Sequence, residues 1–296
     1  EASMERMILP AGFRVELFAS EPDIVNPIAM NWDEKGRLWV VESIEYPYPR
    51  EFWPDGGGKD RIRILEDTDG DGRADKFTEF ADSLNIPTGL TFVDGGVIVH
   101  QAPQTLFLKD IDGDDKADVR KVLFEGWSQY DTHAGPSHLH YGLDNWIWGV
   151  VGYSGFEGTV GGEDHKFSMG VYRFKKDGSK LEFLRRTNNN TWGLGFNEQG
   201  KAFISTANGN PSTYLPFSRN LYEHLPDLND SVTDRLAGTA RILTLTNLFR
   251  QVDWVGAYTS GAGHALYTAR NYPQEYWNRR AFVADPTMQM VGEFIL

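Results

Sequence analysis

The chain has 296 residues, a length that suits one large domain or two small ones. Its 29 basic and 42 acidic residues leave a formal charge of −13, which excludes the basic footprint needed for nucleic acid or an anionic membrane surface. Hydrophobic residues make up 40%, including 9 Trp, 12 Tyr and 18 Phe, so wholesale disorder is excluded, and no apolar run approaches the ~20 residues of a bilayer span. There is no cysteine, which removes disulfides, thiolate catalysis, zinc–thiolate sites and haem attachment from this stretch. That usage fits an exported protein and is equally compatible with a cytosolic one.

In chain order, Phe13–Ala19 alternates as a β-strand does. Ile28–Trp32 runs into the turn Asp33-Glu34-Lys35-Gly36 and returns as Arg37–Val41. Arg61–Leu65 and Lys76–Phe80 flank an acidic loop. The pattern restarts at Pro87–Phe92, turns at Asp94-Gly95-Gly96 and returns as Val97–His100. It restarts again at Ser137–Tyr141, with the turn Leu143-Asp144-Asn145 and the return Trp146–Val151. A fourth unit reads Trp192–Phe196, Asn197-Glu198-Gln199-Gly200, then Lys201–Thr206. Each is the strand, tight turn and return strand of a hairpin. The turn residues Asp33, Asp94, Asp144 and Asn197 are 61, 50 and 53 positions apart.

A hairpin recurring at that interval, with about four short strands per unit, predicts an all-β fold, a β-propeller of four-stranded antiparallel blades. Four units are clear and a fifth starts at His264–Thr268; helix is expected only at Pro273–Arg279 and Leu236–Phe249. The whole of 1–296 reads as one propeller domain. Phe13–Ala19, lacking a preceding partner, is the expected closing strand, because an open sheet edge invites aggregation. Closure by that strand implies six or seven blades and a natural chain that continues past Leu296.

Asp67-Thr68-Asp69-Gly70-Asp71-Gly72-Arg73-Ala74-Asp75 places carboxylates at positions 1, 3, 5 and 9 and glycine at 6. That is a calcium-loop arrangement, with Arg73 offering its carbonyl at position 7. Position 12 is Thr78, so the bidentate glutamate of an EF-hand is missing. A second copy carries Asp110, Asp112, Asp114 and Asp118, with Asp115 where the bend prefers glycine. Both join the third and fourth strands of their units, so calcium there is structural; the alternative is an acidic, solvated turn.

The connections between second and third strands, and between units, share the opposite face. They supply Glu42, Glu45 and the Tyr46–Pro54 run, His100 and Gln101, and the link Tyr130-Asp131-Thr132-His133. They also supply Tyr153, Glu163, Asp164 and His165, then Asn188-Asn189-Asn190-Thr191-Trp192 and Asn208-Gly209-Asn210. Three of the seven histidines fall at 133, 138 and 140. His133, two residues from Asp131, is the candidate base, since a carboxylate that near can orient an imidazole. His138, Trp192, Asn190, Asn208, Asn210, Glu42 and Tyr46 are candidate substrate contacts. Packed strand histidines and turn asparagines are the competing readings.

Leu9-Pro10-Ala11-Gly12-Phe13, Gly36-Arg37-Leu38-Trp39-Val40, Arg61–Asp75, Gly142-Leu143-Asp144-Asn145 and Gly193-Leu194-Gly195-Phe196-Asn197 together resemble the N-terminal propeller of PVC-type membrane-bound dehydrogenases. Glu275-Tyr276-Trp277-Asn278-Arg279 and Ala281-Phe282-Val283 extend the likeness over nearly the whole chain. The resemblance implies an exported, periplasmic or secreted propeller that works with a cytochrome c partner. That family is similar to soluble quinoprotein sugar dehydrogenases, which bind pyrroloquinoline quinone and calcium. By that resemblance His133 would take a proton from a sugar hydroxyl while hydride passes to the quinone. The Lys and Arg side chains that hold the quinone carboxylates would come from later units. The function expected is therefore oxidoreductase-like, on a sugar or polyol. The alternatives are a non-catalytic carbohydrate- or protein-binding propeller, or hydrolase or lyase chemistry at His133.

Overall fold

Three of the four hairpin turns share one device. In a computed structural model, which describes residues 3–48, 57–216, 236, 240, 241, 245 and 256–296, Asp33 Oδ1 accepts the backbone N–H groups of Lys35 and Arg37 at 3.0 and 2.9 Å. Asn197 Oδ1 does the same for Gln199 and Lys201, at 3.0 and 2.9 Å. Asp144 accepts from the backbone of Trp146 at 3.2 Å and from the Trp148 indole at 3.0 Å. At Asp94-Gly95 both residues adopt positive φ (49° and 72°), a two-residue reversal that suits the twist of its strands. At the other three, a short polar side chain that bonds its own turn fixes where the hairpin reverses.

These four reversals and the connection 267–279 build five antiparallel blade sheets among the described residues. The first is β1 (Pro27–Trp32), β2 (Leu38–Glu42), β3 (Asp60–Glu66) and β4 (Lys76–Leu84), hydrogen-bonded in that order. The second is β5 (Pro87–Val93), β6 (Gly96–Gln101), β7 (Gln104–Lys109) and β8 (Val119–Glu125). The third joins β9 (Pro136–Tyr141), β10 (Ile147–Val151), β13 (Gly170–Phe174) and β14 (Leu181–Arg186), with the hairpin β11 (Phe156–Val160) and β12 (Glu163–Phe167) inserted. The fourth shows β15 (Thr191–Phe196), β16 (Ala202–Thr206) and β17 (Thr213–Tyr214). The fifth is β18 (Ala262–Leu266), β19 (Arg280–Asp285) and β20 (Met290–Ile295). The first strands β1, β5, β9, β15 and β18 each touch the next in turn, so the sheets radiate as a five-bladed propeller.

Blade one is covered on one face by blade two and on the other by Phe18, Ala19 and Ile24 of the N-terminal segment, which is why Leu38–Glu42 is buried at every position. Trp39, Ile62, Ile64, Leu90, Val97 and Val99 fill the space between blades one and two. Trp127, Phe156, Tyr172 and Phe174 fill that between two and three, and Val150, Leu194 and Ile204 that between three and four.

Several expectations change here. Phe13–Ala19 is not a strand and pairs with no sheet edge. Phe13 instead packs edge-on against Tyr272 and Tyr276 of the β18–β19 connection, with ring centroids 4.8 and 5.7 Å apart. Phe18 packs on the first blade, where its carbonyl accepts the Ala74 N–H at 2.8 Å. The segment therefore spans blades five and one by side-chain contact. Within Pro273–Arg279 only the 3₁₀ turn Gln274–Tyr276 forms, because three residues give it a single turn of hydrogen bonding. The helix expected at 236–249 lies, apart from four positions, outside the described residues.

Candidate functional site

Asp131 caps the short 3₁₀ turn Thr132–Ala134 that leads into β9. Its carboxylate oxygen Oδ1 accepts the His133 backbone N–H at 2.9 Å and lies 3.1 Å from ring Nδ1. When Nδ1 carries the proton donated to the carboxylate, Nε2 is the nitrogen left to face a substrate. The His133 side chain is 65% exposed, so that nitrogen is reachable by a substrate.

Three loops hold this turn. The Trp192 indole and the Asn190 amide both donate to the His133 carbonyl, at 2.8 and 3.2 Å. Thr132 Oγ1 donates to the Pro47 carbonyl at 2.9 Å, and Ser154 Oγ to the Asp131 carbonyl at 2.5 Å. Tyr46 lies edge-on to the imidazole at 5.3 Å. Burial, and then the Asp131 charge, push the Tyr46 hydroxyl above its ordinary value, so it remains a donor at neutral pH. The loop carrying Tyr46 is fixed from below: Asp60 accepts the Glu45 N–H at 2.8 Å and the Ile86 N–H at 2.5 Å. Burial raises the Asp60 carboxyl above the usual carboxylate range.

The fold thus joins Tyr46, Asp131, His133, Asn190 and Trp192, whose positions span nearly 150 residues of sequence. His138 stands behind Trp192, ring centroids 6.4 Å apart, in a bulge of β9 where its φ is +52°. A Cβ on Gly263 of β18 would come within 3.6 Å of His138 Nε2, an approach the separation of 125 positions conceals. Burial first, then His140 and His264, hold the His138 imidazole down to about 3.

Other candidates sit elsewhere. Glu42 is wholly buried, accepting the Val25 N–H at 2.6 Å and pairing with Arg61. Asn208 accepts the Thr259 hydroxyl, and the Asn210 amide donates to Asn188 Oδ1 at 3.1 Å, so both tie loops together. His100 is buried between blades: Nε2 meets the Tyr172 hydroxyl at 2.6 Å and Nδ1 meets Thr105 Oγ1 at 3.0 Å. Glu163, Asp164 and His165 follow a hairpin whose turn residue Gly161 abuts the Ser179 carbonyl, so they leave the rim.

On the opposite face, ligand atoms of Asp67, Asp69 and Asp71 lie within 4.8 Å of one another, as do those of Asp110, Asp112 and Asp118. That spacing fits a calcium ion with bonds of about 2.3–2.6 Å. Arg73 and Asp114 take part through their loops: the Arg73 N–H donates to Asp71 Oδ1 at 2.8 Å, and Asp114 Oδ1 accepts the Lys116 N–H at 2.9 Å. Asp75 is turned to Thr68, accepting its N–H at 3.0 Å and its hydroxyl at 2.7 Å. Asp115, the residue at the missing glycine, adopts φ +63° and pairs with Arg37 of the first blade at 2.8 Å. Its departure from glycine therefore serves an interblade ion pair.

The donor set at His133 is a phenol, a carboxylate, an imidazole, an amide and an indole. It suits hydroxyl groups and, among the described residues, contains no ammonium or guanidinium. By itself it does not fit pyrroloquinoline quinone, whose carboxylates need cations.

The sequence matches the family described as Domain of unknown function (DUF7133) over residues 1–296. No curated protein matches it. Solved structures with the same fold include a glucose dehydrogenase, 12% identical with a TM-score of 0.58, covering 93% of this chain and 83% of that one. The PQQ-bound aldose sugar dehydrogenase of Streptomyces coelicolor is 13% identical with a TM-score of 0.53, covering 92% and 78%. An oxidoreductase (glucose dehydrogenase) of Thermus thermophilus is 13% identical with a TM-score of 0.53, covering 92% and 83%. At such identities the likeness establishes the fold.

Proposed function

The chain belongs to the DUF7133 family, and we propose that it is an oxidoreductase-like propeller acting on a sugar or polyol, with His133 as the base. The observation that carries this reading is the Asp131–Nδ1 contact of 3.1 Å on an exposed imidazole. Nε2 takes the proton of a substrate hydroxyl, the carbonyl forms, and hydride leaves to an external two-electron acceptor. Asp131 stabilises the imidazolium that results. Trp192, Asn190 and Tyr46 hold the turn and border the substrate. Fold neighbours that include sugar dehydrogenases support the substrate class.

The two-electron acceptor is a quinone; a cytochrome partner, which takes one electron at a time, would only receive electrons from that quinone in turn. Because the rim residues do not by themselves fit pyrroloquinoline quinone, its part is put to experiment. Calcium in the acidic loops has a structural role on the far face. The test is dye reduction with a panel of sugars and polyols, with and without added pyrroloquinoline quinone and calcium. Sugar-dependent reduction that His133→Ala abolishes supports the reading. Absence of reduction under every condition removes it and leaves carbohydrate binding, to be read on a glycan array.

A further inference from the structure

The geometry points to a glycan chain, instead of a free monosaccharide, as the ligand of the His133 rim, with Tyr130, Tyr48 and Tyr153 as its stacking platforms. The inference rests on the reading of His133 as a base toward a sugar hydroxyl. Tyr130 is 95% exposed, the most exposed large apolar side chain among the described residues; Tyr48 and Tyr153 are 59% and 51% exposed.

All three adjoin the turn that carries the base. Tyr130 directly precedes Asp131, and its N–H donates to Ser128 Oγ at 3.2 Å. Tyr48 follows Pro47, whose carbonyl takes the Thr132 hydroxyl. Tyr153 precedes Ser154, which donates to the Asp131 carbonyl. The hydrogen bonds that hold the turn therefore also anchor the backbone beside three exposed phenol rings.

A phenol ring offers an apolar face and a polar edge. A pyranose matches it, with C–H groups on its face and hydroxyls around its rim, so stacking removes apolar surface from water without burying unpaired polar groups. Their chain neighbours Ser128, Gln129, Asp131 and Ser154 are polar, unlike the apolar centre of a protein interface. A net charge of −13 favours a neutral glycan over an anionic one. Tyr46 and Trp192 already border His133, so the outer tyrosines fall to sugar units beyond the reacting one.

Calorimetric titration tests this without requiring turnover, using glucose, xylose and N-acetylglucosamine against cellohexaose, maltohexaose, xylohexaose and chitohexaose. At least one hexamer should bind about tenfold more tightly than its monomer, and Tyr130→Ala should collapse that ratio while Tyr130→Phe preserves it. If no hexamer outbinds its monomer, or if Tyr130→Ala leaves the ratio intact, the inference is overturned. A hexamer bound through Tyr130 without dye reduction supports this inference and defeats the base role of His133.

Discussion

Asp131 Oδ1 takes two hydrogen bonds from one residue, the His133 backbone N–H at 2.9 Å and its ring Nδ1 at 3.1 Å. The carboxylate thereby caps the turn and aims the imidazole together. Local backbone geometry and side-chain orientation are coupled at this point, just ahead of the first strand of the third blade.

Asp131→Asn separates the two tasks. The amide oxygen can still accept the backbone N–H, while the negative charge that favours the imidazolium is gone. Turnover should fall roughly 100-fold or more with little change in KM and an unchanged melting temperature. Steady-state kinetics check this, and an unchanged kcat would show that the ring needs no orienting anion.

Ring closure should depend on Phe13. Its edge-on contacts with Tyr272 and Tyr276 tie the N-terminal segment to blade five, while Phe18 ties it to blade one. Phe13→Ala removes a half-buried ring and its aromatic contacts, a loss of about 1–3 kcal/mol. Calorimetry should record a melting temperature lower by a few degrees. Phe13→Leu should recover part of the loss, and identical melts for all three proteins would show that the segment closes nothing.

Buried imidazoles set an acid limit. Burial holds His100 at about 3 and His264 at about 4, against an ordinary value of 6.5. Below pH 6.5 the unfolded chain binds the extra protons, so the stability from these neutral rings is full above that pH. It declines as pH falls towards 4, by up to about 1.4 kcal/mol per pH unit for each ring. Melting temperatures should therefore drop between pH 6.5 and 4, before the lowered carboxylates of Asp33 and Asp67 titrate. His100→Gln should lower the melt at pH 7 and flatten the drop; a melt independent of pH across that window would refute the account.

Metal at the aspartate loops should register as stability alone. Calcium at about 100 times its dissociation constant would add about 2.7 kcal/mol, and excess chelator would remove it. Asp67→Asn and Asp110→Asn together should abolish the calcium-dependent rise in melting temperature. Catalytic constants should stay the same once the protein is folded, because the loops lie on the face away from His133.

Three of the hairpin turns were legible because Asp33, Asp144 or Asn197 at the start bonds its own turn, and the fourth because Asp94-Gly95 tolerates positive φ; a local rule leaves a local trace. The pairing of Asp131 with His133 was legible for the same reason, being two residues apart. What the sequence concealed depends on chain segments far apart: Glu42 facing Arg61 inside a blade, His100 meeting Tyr172 between blades, Gly263 lying beside His138. Phe13–Ala19 alternates like a strand, yet an aromatic cluster from the fifth blade engages Phe13 first. Hairpin β11–β12 was hidden because its apolar ends, Phe156 and Phe167, stack on each other 5.3 Å apart and carry no interblade period.

The most direct test of the base at position 133 is chemical rescue. Sugar-dependent dye reduction by His133→Ala should be lost and then restored in part by added free imidazole, in proportion to its unprotonated fraction. A His133→Ala protein that turns over at the full rate without imidazole would contradict the account.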